Sequence, residues 1–126
     1  MAISAPITGV RTVSIPVEDQ ETALAYYRDV LGFTVLRDMP TPNGRWIELA
    51  PGSDAIVVTL EPALPKVTRG AIGIRFTTDD VAGAHAEFAR RGVAVDAILR
   101  WPGVPAMFGF HDLDGNAFSV TETSTD

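Results

Sequence analysis

A pattern that begins at residue 10 and closes at residue 33 returns at residues 71–93, and this internal repeat constrains the fold more than any single motif does. The first copy alternates apolar with small or polar residues through Val13, Ile15 and Val17, then meets the acidic pair Glu18-Asp19. An amphipathic segment follows and closes on Leu31-Gly32-Phe33. The second copy alternates through Ile72, Ile74 and Phe76, meets Asp79-Asp80, and closes on Arg91-Gly92-Val93. Each copy reads as a strand, an acidic helix cap and a helix stopped by glycine. Short strand-like runs follow both, around the hairpin signals Pro42-Asn43-Gly44 and Asp112-Leu113-Asp114-Gly115. The expected fold is α+β: two βαβββ modules in one domain, residues 1–126, forming a curled mixed sheet around a cavity with the helices on its outer face. Module one is placed at 9–60, a linker at 61–70 and module two at 71–122.

Side-chain parity assigns faces to the strands. In the first strand, 10–17, Val13, Ile15 and Val17 point toward a helix, and Thr12, Ser14 and Pro16 point away. Ala23, Leu24, Tyr27, Val30 and Leu31 form one helical stripe, with Asp19 as N-cap and Gly32 as the left-handed terminator. Strands are expected at 33–39, 45–50 and 55–60; in the second of these, Ile47 and Leu49 face the helix while Trp46, Glu48 and Ala50 do not. In module two, Val81, Ala84, His85 and Phe88 form the helix stripe. Further strands are expected at 95–100, 106–111 and 117–122, with a stiff loop from Trp101 to Pro105 and a frayed end at 123–126.

Bulk properties exclude several classes. A chain of 126 residues, 46% hydrophobic and 21% charged, is globular and the size of one domain. It has no cysteine, hence no disulfide, thiolate nucleophile or zinc–sulfur site. A formal charge of −6, with Arg90-Arg91 as the only adjacent basic pair, argues against nucleic acid. No apolar run reaches membrane-spanning length, and the start lacks signal-peptide features, so a cytoplasmic protein is expected. Nine arginines against one lysine suggest a GC-rich bacterial genome.

The reverse faces of the strands collect Thr12, Ser14, Trp46, Glu48, Gly73, Arg75, Ala117 and Ser119. Small and polar groups, one aromatic and an acid–base pair make a better cavity lining than core. Arg75 opposite Glu48 would favour its ionised form as acceptor for a ligand cation or hydroxyl; alternatively the pair is an idle remnant, and with Arg75 elsewhere Glu48 is free to act as a general base. Trp46, Trp101, Phe108 and Phe110 are placed around the cavity, where flat rings can stack on a planar ligand, with core or an interface between subunits as the alternative. His85 is expected to be a partly buried helix residue, and His111 an exposed strand end beside the turn-forming Asp112 and Asp114.

The segments Val13-Ser14-Ile15-Pro16-Val17-Glu18-Asp19, Leu24 through Phe33, Trp46-Ile47-Glu48-Leu49 and Asp112-Leu113-Asp114-Gly115-Asn116 together resemble the vicinal oxygen chelate superfamily, the glyoxalase and bleomycin-resistance fold. That resemblance implies either a metal-dependent enzyme, such as an isomerase, lyase or dioxygenase, or a metal-free protein that sequesters antibiotics. It carries the four metal-ligand places of the enzymes onto Thr12, Glu48, Ala71 and Ser119, and of these only Glu48 is a ligand type. The expected function is therefore metal-free binding of an apolar or planar, antibiotic-like molecule. No cofactor is expected, and Thr12, Ser14, Trp46, Glu48, Arg75, Trp101, Phe108 and Ser119 are the candidate contacts. The alternatives are an enzyme using Glu48 as metal ligand or acid/base, with a divalent metal, and a structural module with a vestigial cavity. The resemblance also implies a homodimer.

Overall fold

The computed structural model describes residues 6–7, 9–42, 44–52, 55–63 and 71–123, with Ala71 by its backbone alone. Asn43 of the first hairpin, Ser53-Asp54 of the next turn, most of the linker and the last three residues lie outside the described residues.

Strand β1 (Thr12–Val17) leads to helix α1 (Gln20–Ala25), which continues as one π turn over Tyr26–Val30. Strands β2 (Thr34–Thr41), β3 (Gly44–Ala50) and β4 (Val57–Pro62) complete the first half. The second half repeats the order with β5 (Ala71–Thr78), α2 (Val81–Arg90), β6 (Ala94–Val95), β7 (Met107–His111) and β8 (Ala117–Glu122). This is the βαβββ repeat expected from the sequence, and the class is α+β. The eight strands divide into two four-stranded mixed sheets of identical plan, β1-β4-β3-β2 and β5-β8-β7-β6. In each, the first and last strands of the module pair in parallel and the other pairs are antiparallel.

Local chemistry explains the elements. Asp19 caps α1 by accepting from the Thr22 amide at 3.1 Å, and Asp80 caps α2 by accepting from the Gly83 amide at 3.1 Å. Gly32, at φ 82°, takes the left-handed conformation that ends the first helix. The sequence pattern predicts α-helix as far as Leu31; instead the Leu31 amide reaches back five residues to the Tyr26 carbonyl at 3.1 Å. Pro40 lies inside β2, tolerated because β2 is an edge strand that does not need the missing N–H. Glu61 and Pro62, expected in the linker, extend β4, where they pair with Pro16 and Val17. The strand expected at 95–100 is only Ala94–Val95 plus a single bridge between Leu99 and Met107. Thr123 does not fray: its amide donates to the Thr78 carbonyl at 2.9 Å.

One core serves both halves. Ile15, Val17, Ile47, Leu49 and Leu60 are fully buried, as parity requires, and pack with Tyr27 and Leu31. The rings of Tyr27, Phe33 and Phe76 follow one another at 5.5 Å, and Phe76 continues to Phe118 at 5.6 Å, so aromatics cross from the first half into the second. Polar bonds reinforce that junction. The Tyr27 hydroxyl donates to Asp112 at 2.6 Å, Asn116 Nδ2 donates to the Pro16 carbonyl at 2.9 Å, and the Glu18 amide donates to Asp114 at 2.9 Å.

Candidate functional site

The face of the first sheet turned away from α1 carries a connected set of polar side chains. The register sets Ser14 beside Thr59 and Thr59 beside Glu48, in a row across β1, β4 and β3. Glu48 and Thr59 are buried, whereas Ser14 and Trp46 reach solvent. That burial pattern gives the face a recessed polar floor and an open rim.

Glu48 is the centre of the set. Its Oε2 accepts from the indole Nε1 of Trp46 at 2.8 Å, and its Oε1 accepts from Arg11 at 3.2 Å. The indole is thereby held in one orientation, with the residue 39% exposed. Beside it, Thr59 donates to Ser14 at 3.2 Å, and Ser14 donates to Glu61. From the helix side, Gln20 inserts where β3 and β4 part. Its Nε2 donates to the carbonyls of Arg45 at 2.7 Å and Leu60 at 2.8 Å, and its Oε1 accepts from the Arg45 amide at 3.1 Å. Gln20 thus supplies the hydrogen bonds that the ladder lacks beyond Glu48, keeping the strands splayed beneath Trp46 and Glu61.

The expected partner of Glu48 was the wrong arginine. Arg75 stands on β5 of the other sheet, exposed, and forms no ion pair among the described residues, whereas Arg11, just before β1, meets the carboxylate. Parity within a strand cannot identify a partner from outside the ladder. Thr59 and Glu61 were also missed, although period two along β4 places them with Val57 on the reverse face.

The second sheet presents Arg75, Ser119 and Gly109 in one row across β5, β8 and β7. Gly73, at φ 84°, sits in an irregularity that adds two residues to β5 relative to β8, so Arg75 regains register only opposite Ser119. Thr12 and Ser119 are half-buried, and Ser119 lies between the core residues Phe118 and Val120. Trp101 is 60% exposed in the β6–β7 connection.

Phe108 must be removed from the candidate contacts. It is fully buried, edge-on to His85 at 5.1 Å and to Phe88 at 6.1 Å, and belongs to the core under α2. Phe110 is likewise core. The expected β7 was correct in outline, but its parity puts Gly109 outward and both phenylalanines inward. His85 is half-buried, its Nε2 against the Asp96 carbonyl at 2.8 Å. His111 pairs with Ala117 at the end of β7. Asp112 forms the expected turn, accepting from the Asp114 and Asn116 amides at 2.9 Å, and its link to Tyr27 is additional.

The donors do not suit a metal ion. Among the described residues no three His, Cys, Asp or Glu side chains come together in a way that could hold one. Of the four family ligand places, the structure gives Glu48 a carboxylate already bonded to Trp46 and Arg11, and Thr12 and Ser119 contribute only hydroxyls.

Residues 9–120 match the Glyoxalase/Bleomycin resistance protein/Dioxygenase superfamily, and the chain belongs to that superfamily. Among solved structures it is similar to TnmS3, an antibiotic binding protein from Streptomyces sp. CB03234. That match has 34% identity and a TM-score of 0.85, covering 96% of this chain and 100% of TnmS3. It is also similar to a member of the same superfamily from Sphaerobacter thermophilus, at 31% identity and TM-score 0.83, covering 93% and 98% of the two chains. The uncharacterized protein YetH of Bacillus subtilis is 29% identical over 119 residues, 92% of this chain and 99% of YetH.

Proposed function

We propose that this protein binds a small, largely apolar or planar, antibiotic-like molecule without a metal, on the helix-free face organised by Trp46 and Glu48. The observation that carries this reading is the locked indole: Glu48 fixes the Nε1 edge of Trp46, which leaves a flat ring at the rim of a recessed polar floor. Thr12 and Ser14 line the same face, and Arg75 and Ser119 offer a second polar face on the other sheet. The similarity to TnmS3 supports sequestration rather than turnover. We place the protein in the cytoplasm as a homodimer. Among the described residues no helix is long and apolar enough to cross a membrane. Leu99, Trp101 and Val104, 42%, 60% and 45% exposed, offer apolar surface for a second copy.

The test is calorimetric titration with acridone, a flat neutral ring system, beside elemental analysis of the purified protein. Saturable binding that Trp46→Ala weakens about tenfold or more, with substoichiometric metal, is the expected outcome. One equivalent of nickel, zinc, iron or manganese per chain would overturn it in favour of a metal-dependent enzyme. Unchanged acridone binding in Trp46→Ala would remove the indole from the site. Sedimentation at micromolar concentration should give a dimer.

A further inference from the structure

Glu48 is in an unusual position for a carboxylate on a sheet face. Its side chain is only 10% exposed, and it accepts one hydrogen bond at each oxygen. A carboxylate has about four acceptor positions, and among the described residues only two are seen to be used. Its two partners differ in kind. Trp46 approaches from the same strand at 2.8 Å, two residues away, and is part of the floor. Arg11 reaches in from outside the ladder through a single nitrogen at 3.2 Å, long for a charge-assisted bond, with its own side chain 59% exposed. The backbone of Arg11 is anchored, because its carbonyl accepts from the Val57 amide at 3.2 Å. Its guanidinium thus reaches Glu48 from an anchored backbone.

A buried carboxylate needs a cationic or N–H partner, and a mostly solvated, single-point arginine is easily replaced. We propose that Arg11 is an internal stand-in for the ligand: a cationic nitrogen on a planar ligand displaces the guanidinium from Glu48 while the ring stacks on Trp46. This deepens the reading of the Trp46–Glu48 face given above and rests on it. The ligand class is a flat ring system bearing a positive charge. Stacking fixes its plane, Glu48 recognises its charge, and Glu61, held by Ser14 on the same side, adds to the negative potential at the rim. Arg11 lowers affinity for such ligands and, once released, remains beside the site in solvent.

The two functions assigned to Arg11 and Glu48 predict effects of opposite sign. Calorimetric titrations of the intact protein and of Arg11→Ala and Glu48→Gln would use N-methylacridinium, a permanent planar cation, and acridone, its neutral counterpart of similar outline. Arg11→Ala should tighten N-methylacridinium about two- to fivefold, because the solvated guanidinium no longer competes for Glu48. Glu48→Gln, whose amide oxygen can still accept from Trp46 but carries no charge, should weaken N-methylacridinium at least about fivefold more than it weakens acridone. Arg11 is exposed and Glu48→Gln is isosteric, and circular dichroism checks that both variants fold. Equal or weaker cation binding by Arg11→Ala would overturn the displacement, even with acridone binding intact. If acridone itself fails to bind the unaltered protein, the underlying site assignment falls instead.

Discussion

The two modules share one chain path and differ in what fills and what faces it. The first packs aliphatic side chains, Ile15, Val17, Ile47, Leu49 and Leu60, beneath its helix. The second packs rings: Phe110 sits 5.2 Å from Phe88, 6.1 Å from Phe76 and 5.3 Å from Phe118. Their helix-free faces differ as much. The first sheet ties Arg11, Trp46 and Glu48 together beside a Thr59–Ser14–Glu61 chain, whereas the second presents Arg75 with no carboxylate partner among the described residues. A duplicated frame thus keeps its backbone plan while the two ends of its one core and its two helix-free faces diverge. Period two allows this, since alternate residues of a strand never share an environment.

The sharpest break of that comparison exchanges core for face. Phe108→Ala or Phe110→Ala should cost about 3–5 kcal/mol in urea denaturation, because each empties a fully packed aromatic site. Trp46→Ala, at a position 39% exposed, leaves no core cavity; it should cost about 1–2 kcal/mol, mainly through the donor lost to buried Glu48, and act chiefly on ligand affinity. A Phe108→Ala protein as stable as Trp46→Ala would return Phe108 to the ligand-facing surface.

The second test asks how far the modules depend on each other. Asp112 is buried and accepts from the Tyr27 hydroxyl and from Asn116 Nδ2 at 2.9 Å, one partner in each half. Tyr27→Phe removes one donor from a buried carboxylate and should cost about 1–3 kcal/mol. Burial first, and the Asp112 charge second, push the Tyr27 hydroxyl far above its ordinary value of 10.0. The folded protein therefore keeps a proton that the unfolded chain releases near pH 10, and stability falls as pH rises past that point. Tyr27→Phe should flatten this alkaline loss. Tyr26, raised in the same direction chiefly by burial, should retain a smaller remainder. An unchanged alkaline limb would mean that the junction does not hold the tyrosine as described.

What could be read in the sequence followed from local rules. Alternation separated Ile47 and Leu49 from Trp46 and Glu48, the caps fell at Asp19 and Asp80, and Gly32 stopped its helix as expected. Contacts that depend on long-range approach could not be read this way. Tyr27 and Asp112 are 85 residues apart, and no periodicity links a helix stripe to a turn in the other module. Arg11 lies outside the ladder, so its reach to Glu48 depends on side-chain length rather than register. The π turn was hidden because Tyr27 and Leu31 stay buried with one residue more in the turn, leaving the apolar stripe intact. Phe108 differs for another reason: proximity to the Trp46 face suggests a ligand contact, but parity around Gly109 turns both Phe108 and Phe110 inward.

The smallest effect concerns how each helix ends. Glu87 on α2 pairs with Arg90 and, at 2.7 Å, with Arg91, whose Nη1 also donates to the Val30 carbonyl at 3.0 Å beside the end of the first helix. Bonds from Arg90 first, and then Arg91, hold the Glu87 carboxyl down at about 2, against an ordinary value of 4.5. A carboxyl lowered in the folded state stabilises it above the unfolded value and loses that contribution as pH falls through the folded one. The Glu87 contribution should therefore be complete above about pH 4.5 and fade toward pH 2. Glu87→Gln should lower the melting temperature slightly at neutral pH, and the gap should close in acid. The same scan on Asp29→Asn, whose carboxyl is lowered by its neighbour Arg28 alone, isolates what bridging adds, because among the described residues no bond from that pair crosses to the other module. If the two variants melt alike at every pH, the Arg91 bridge adds nothing to the junction, and the modules are joined by Tyr27, Asp112 and the aromatic core without it.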